Sequence, residues 1–149
     1  MNRDFVEMLS ALRDAGADHL IVGAHALAAH GRPRATGDLD IWVRPTPDNA
    51  RRVYSALEAF GAPLHDLSLA ELSSPDLVFQ IGVAPARIDI LTSISGVEFP
   101  EAWADRISVR IGGLDVPVMG RQTLIRNKRA AGRPRDLADV AELEADEPR

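Results

Sequence analysis

The stretch VGAHALAAHGRPRATGDLDIWV (residues 22–43) sets Asp38 and Asp40 one residue apart inside an apolar run, with Gly23 and Ala24 well upstream. Side chains alternate between the faces of a strand, so Asp38, Asp40 and Trp42 share one face while Leu39, Ile41 and Val43 share the other and turn to the core. Two carboxylates on one face repel each other unless something positive neutralises them, and a divalent cation with oxygen ligands does so effectively. RIDIL (residues 87–91) repeats the pattern: Ile88 and Ile90 take one face and Asp89 the other. If the two strands are neighbours, a third carboxylate joins the pair. Singly, each aspartate has a plainer explanation: Asp38 as a turn residue after Gly37, Asp40 and Asp89 as solvent-facing positions of a half-exposed sheet. Three of them embedded in apolar strands point instead to a metal site.

Outward from this stretch the chain alternates helix and strand. Phe5, Leu9 and Leu12 recur at helical spacing over residues 3–14, with Gly16 as a stop. HLIVG (19–23) reads as a short buried strand. The alanine-rich residues 24–31 read as a short helix ended by Gly31, and RPRATG (32–37) as a turn before the strand 38–44. Thr46 as N-cap, Pro47 at the first helical position and Asp48 in the first turn open a helix to about Phe60 that buries Val53, Leu57 and Phe60. Ser68 and Glu71 form a capping-box pattern for a short helix.

LVFQIGV (77–83) and RIDILTSI (87–94), separated by Ala84, Pro85 and Ala86, read as antiparallel neighbours. A helical turn or two is expected over 98–106. A second hairpin is expected around Gly112 and Gly113, where Pro117 restricts the last strand to a sheet edge. Two helices, 121–131 and about 134–145, are separated by Gly132 and Pro134. The expected fold is α/β (α+β): a mixed central sheet flanked by helices in a single domain over 1–149. Its core spans about 19–95, and the C-terminal hairpin and helices occupy about 108–145.

The 149 residues include no cysteine, which excludes thiol catalysis, disulfides and cysteine-ligated zinc, and suits a reducing cytoplasm. No stretch approaches the roughly 18 apolar residues of a membrane span, and the N-terminal segment is too charged for a signal core. The net charge is −5, yet Arg121, Arg126, Lys128, Arg129, Arg133 and Arg135 follow one another with no acidic residue between them. That run is either a solvated helix face or a local phosphate-attracting patch. His25 and His30 are five residues apart and so do not share a helix face as zinc ligands would; surface or packing roles suit them. No serine sits in a nucleophile elbow, and the glycine-rich patterns of P-loop and dinucleotide folds are missing. Trp42 suits a core or interface position better than a base-stacking one.

An apolar strand ending in Gly23 and Ala24, a short helix, DLDI with Asp38 and Asp40, and a later RIDIL with Asp89 together resemble the nucleotidyltransferase superfamily, whose fold is shared with DNA polymerase beta. HGRPRATGDLDIWV is closer still to small stand-alone bacterial nucleotidyltransferases, including those related to abortive-infection toxins of type IV toxin–antitoxin systems. Their C-terminal segment tends to read as a lysine, a basic residue and R-D-L-x-D; here Lys128, Arg133 and Arg135-Asp136-Leu137-Ala138-Asp139 follow that order. The resemblance spans about residues 19–143.

It implies transfer of a nucleoside monophosphate from an NTP to a hydroxyl, with release of pyrophosphate. The acceptor would be an RNA 3′ end such as that of tRNA, a protein side chain or a small molecule. Gly23 and Ala24 would present backbone N–H groups to the triphosphate. Asp38, Asp40 and Asp89 would be both catalytic and metal ligands, holding Mg²⁺, or Mn²⁺ in its place. Lys128, Arg34 and Thr36 would serve as phosphate-binding residues. Many members carry serine after the glycine; Ala24 keeps the backbone amide and forgoes a hydroxyl contact of roughly 1.5–3 kcal/mol. The resemblance also allows a homodimer and an antitoxin partner. The alternatives are a catalytically weak or inactive nucleotide-binding or partner-binding module of the same fold and, further off, a metal-dependent phosphoesterase built on the same carboxylates.

Overall fold

In the computed structural model, which describes residues 1–34, 36–83 and 86–146, seven helices and six strands alternate along the chain. α1 (Arg3–Asp14) starts at Asn2, whose side chain accepts the Asp4 N–H at 2.7 Å, and buries Phe5, Met8, Leu9 and Leu12. β1 (His19–Val22) is buried throughout, and α2 (Gly23–Ala29) follows it without a spacer. β2 (Asp38–Val43) leads to α3 (Pro47–Phe60), which the Thr46 hydroxyl caps by accepting the Asn49 N–H and which Gly61 ends in the left-handed conformation. α4 (Leu69–Leu72) carries the Ser68–Glu71 capping box. β3 (Val78–Ile81), β4 (Arg87–Leu91) and α5 (Phe99–Ala104) come next, then the hairpin β5 (Ile107–Ile111) and β6 (Leu114–Val118). α6 (Arg121–Ala131) and α7 (Pro134–Ala145) close the chain.

The strands form one mixed sheet in the order β3-β4-β2-β1-β6-β5. β4 runs parallel to β2 and antiparallel to β3, while β1 is antiparallel to β2 and parallel to β6. α1 packs against α3, and α6 against α7. A continuous core gathers Leu20, Ile21, Leu39, Ile41, Val43, Ile88 and Ile90 from the sheet with Met8, Leu12, Val53, Leu57 and Leu124 from the helices. Among the described residues no helix is long and apolar enough to cross a membrane.

Four expectations change in detail. β6 is not an edge strand: it lies between β1 and β5, and the edges are β3 and β5. Pro117 is accommodated because the pairing with β1 is confined to Ile21 and Val118, one residue past the proline, after which the Met119 N–H donates to the Ile21 carbonyl at 3.0 Å. Phe60, at the last position of α3, is half-buried rather than buried. The short helix begins one residue earlier than expected, at Gly23, and the strand beside it ends at Val43. Ala35 in the expected turn, and Ala84 and Pro85 between the two apolar runs, lie outside the described residues.

Candidate functional site

The site is assembled by strand register. Asp40 on β2 is paired with Asp89 on β4, Asp38 with Arg87 and Trp42 with Leu91, so the acidic faces of the two parallel strands coincide. On the other flank Val22, the last residue of β1, pairs with Asp40. The chain therefore turns into α2 directly beside the Asp40 carboxylate. Gly23 makes this possible: its φ is +69°, and a Cβ there would collide with Asp40 Oδ2 and lie 3.2 Å from Cγ.

Asp89 is buried at 7% exposure, and Asp40 and Asp38 are half-buried. Burial, the Asp89 charge, a hydrogen bond shared with the Asp89 carboxyl and the Asp38 charge push the Asp40 pKa up to about 6, against the opposing pull of Arg87. The arginine is the residue that the sequence reading passed over. Its Nε donates to Asp89 Oδ1 at 2.9 Å, while Nη2 donates to Asp89 Oδ2 at 3.1 Å and to Asp38 Oδ2 at 2.9 Å. The signal for it was present: Arg87 is two residues from Asp89, on the same face of the same strand.

Asp38, Asp40 and Asp89 are the residues that could hold a divalent cation, being hard oxygen donors on one face whose charges are only partly compensated. Among the described residues no three acidic or imidazole groups converge as a ready-made ligand set. Arg87 holds oxygens of both Asp38 and Asp89 in this arrangement.

The other expected phosphate-binding residues are placed differently. Thr36 fixes the loop to the start of β2: its Oγ1 accepts the Asp38 N–H at 3.2 Å. Arg34 and Lys128 converge on Asp139 rather than on the three aspartates. Arg34 donates to Asp139 Oδ1, and Lys128 Nζ lies 2.9 Å from Asp139 Oδ2 and 3.6 Å from Asp136. Arg133 Nε closes on Asp136 at 2.6 Å, and Arg32 reaches Asp146 at 2.7 Å. The hydrogen bond from Arg133 holds Asp136 below the usual carboxylate range against its burial. Burial raises Asp139, but the bonds from Arg34 and Lys128 outweigh it and hold that carboxyl low as well. The R-D-L-x-D segment thus forms a buried ionic hub that ties the loop before β2 to α7.

Four of the six cations of the basic run are paired with carboxylates: Arg126 with Glu101 at 2.7 Å and Arg129 with Glu144 at 2.6 Å, in addition to the pairs at Lys128 and Arg133. Trp42 is 1% exposed and packs edge-on against Phe99 at 5.1 Å, which makes it a core residue. His30 Nε2 lies 2.8 Å from the Met119 carbonyl oxygen and anchors α2 to the segment before α6, while His25 packs edge-on against Phe5 at 5.9 Å.

Solved structures share this architecture at low sequence identity. TM1012 of Thermotoga maritima, described as a candidate nucleotidyltransferase, superposes with a TM-score of 0.63 at 14% identity, over 97% of this chain and 92% of that one. The lincosamide antibiotic adenylyltransferase LnuA, solved with lincomycin bound, gives 0.60 at 11% identity, over 97% of each chain. The antibiotic-resistance factor ANT(2'')-Ia gives 0.58 at 15% identity, over 95% of this chain and 88% of that one. Among curated proteins none matches the sequence. The sequence model of the family described as "Nucleotidyl transferase of unknown function (DUF2204)" matches residues 1–147, and the chain belongs to that family.

Proposed function

We propose that the protein transfers a nucleoside monophosphate from an NTP to a hydroxyl acceptor and releases pyrophosphate. The observation that carries this reading is the register of Asp40 with Asp89 on adjacent parallel strands, hard against the Gly23 turn. The backbone N–H groups of Gly23 and Ala24, at the start of α2, would meet the triphosphate. Asp38, Asp40 and Asp89 would hold Mg²⁺, or Mn²⁺, which supplies charge compensation at the phosphates and lowers the pKa of the attacking hydroxyl. Asp89, in register with Asp40 on the neighbouring strand, would help to activate the acceptor hydroxyl.

A small hydroxyl-bearing acceptor is favoured over RNA. Four of the six cations of the basic run that would have gripped a polyanion are paired with Glu101, Glu144, Asp136 and Asp139, and LnuA and ANT(2'')-Ia, which share the fold, are described as an antibiotic adenylyltransferase and an antibiotic-resistance factor. Arg34 and Lys128 would support the triphosphate indirectly, by holding the loop that carries Thr36. A reducing cytoplasm, where NTPs are abundant, suits a chain without cysteine. Ala24, which lacks the serine hydroxyl, favours a second reading as a nucleotide-binding module with little catalysis.

The test is to incubate the purified protein and Mg²⁺ with α-labelled NTPs and, separately, with the small-molecule, RNA and protein fractions of a cell lysate. Label passing to a fraction, and lost in Asp38→Ala, Asp40→Ala and Asp89→Ala, supports the transferase, and label in the small-molecule fraction supports the acceptor class. NTP binding with no transfer to any fraction favours the second reading.

A further inference from the structure

We propose that Arg87 is an exchangeable cation of the site: it competes with the divalent ion for Asp38 and Asp89, and when the metal–nucleotide enters it turns to the triphosphate. This rests on the transferase reading and adds a residue and an order of events to it. Three hydrogen bonds, from 2.9 to 3.1 Å, tie the guanidinium to two of the three carboxylates, while the third, Asp40, is in register with Asp89. The cluster therefore carries its own counter-charge. A cation entering it meets the guanidinium on both oxygens of Asp89 and on one of Asp38; each of these oxygens already gives part of its lone-pair capacity to an N–H, and the like charge of the fork opposes the ion, so the two cations compete for the same carboxylates. Arg87 is about one-third exposed at its side chain, so the displaced guanidinium has solvent-side room to move. The three carboxylates carry −3 and Arg87 +1; a divalent ion brings the sum to zero, and the negative triphosphate arriving with it then becomes the strongest attraction left for the freed guanidinium. A planar fork suits phosphate oxygens as well as carboxylates.

Exchange differs in sign from simple support. A residue that only orients metal ligands lowers metal affinity when it is removed, typically by about 10–100-fold. A competitor raises it. Binding of Mn²⁺ alone, followed by calorimetry or electron paramagnetic resonance, should be about tenfold or more tighter in Arg87→Gln than in wild type. The same variant should bind Mn·ATP, with the metal site saturated, more weakly than wild type. Arg87→Lys keeps the charge and loses the fork, so its Mn²⁺ affinity should lie between the two. If Arg87→Gln leaves too concentrated a negative charge to fold without metal, Mn²⁺-dependent recovery of its circular dichroism, together with the Arg87→Lys affinities, gives the same ordering. Equal or weaker Mn²⁺ binding by both variants overturns the exchange. Failure of the wild type to bind Mn·ATP or to transfer label would instead remove the transferase reading, and it is read independently of the Mn²⁺-only comparison.

Discussion

Replacing Asp40 by asparagine separates its electrostatic cost from its chemical use. The Asp40 pKa is raised to about 6 in the folded protein, so the native state holds a proton that the unfolded chain has already released. With a raised folded value, an acid's penalty is absent below its ordinary pKa and fully present above the folded pKa; the contribution of Asp40 to stability therefore falls as pH rises from about 4 to about 6. Urea unfolding should find Asp40→Asn equal to wild type near pH 4 and more stable near pH 7, by on the order of 1 kcal/mol once solvent screening of this half-exposed group is allowed for. The same variant should transfer no label. Lower stability of the variant at neutral pH would contradict the crowding of the three carboxylates. Gly23→Ala asks for a strained φ and drives a methyl into the Asp40 carboxylate, so it should cost about 1–3 kcal/mol and lose nucleotide binding with it. Ala24→Ser restores a hydroxyl where the backbone already faces the proposed triphosphate, and should tighten NTP binding by up to about tenfold in a direct titration.

At the scale of elements, the loop before β2 and the last helix act as one unit through Asp136 and Asp139. Asp139 is 5% exposed and faces Arg34 and Lys128, and Lys128 itself is 9% exposed. Removing the carboxylate leaves the buried ammonium only the longer contact with Asp136, at 3.6 Å, so Asp139→Asn should cost about 3 kcal/mol in urea unfolding at neutral pH. Both carboxyls are held below their ordinary range, so this stability is present above the ordinary carboxylate pKa and is lost as pH falls through the depressed values. Asp139→Asn should accordingly show a shallower loss on acidification than wild type. The resemblance picked out the segment, through Arg135-Asp136-Leu137-Ala138-Asp139, but not its use. Spacing along α7 says which side chains share a face; it does not say that Arg34, 105 positions away, will be the partner. Arg87 was hidden for the opposite reason. It was in plain view beside Asp89, but a reading centred on negative charge passed over the positive one that the same alternation places on the same face.

For the whole molecule, the elements with strong local signals were legible: the Thr46–Pro47 start of α3, the Ser68–Glu71 box, the Gly132–Pro134 break and the glycine-centred hairpin all stand where their caps and turns put them. What local chemistry does not encode is which strands become neighbours. β4 lies beside β2, and the three aspartates meet, because the chain returns after α3 and α4 to the sheet edge as β3 and then turns back to lay β4 parallel to β2. The same non-local pairing covered β6 on both sides and overruled the edge position expected from Pro117. The measurement that reaches the central claim most directly is a crystal structure with Mn²⁺ and a non-hydrolysable NTP analogue, read by the anomalous scattering of manganese. The account predicts the manganese peak among the carboxylates of Asp38, Asp40 and Asp89, with the triphosphate on the Gly23–Ala24 amides. A nucleotide bound elsewhere, or a metal away from these three carboxylates, would contradict it.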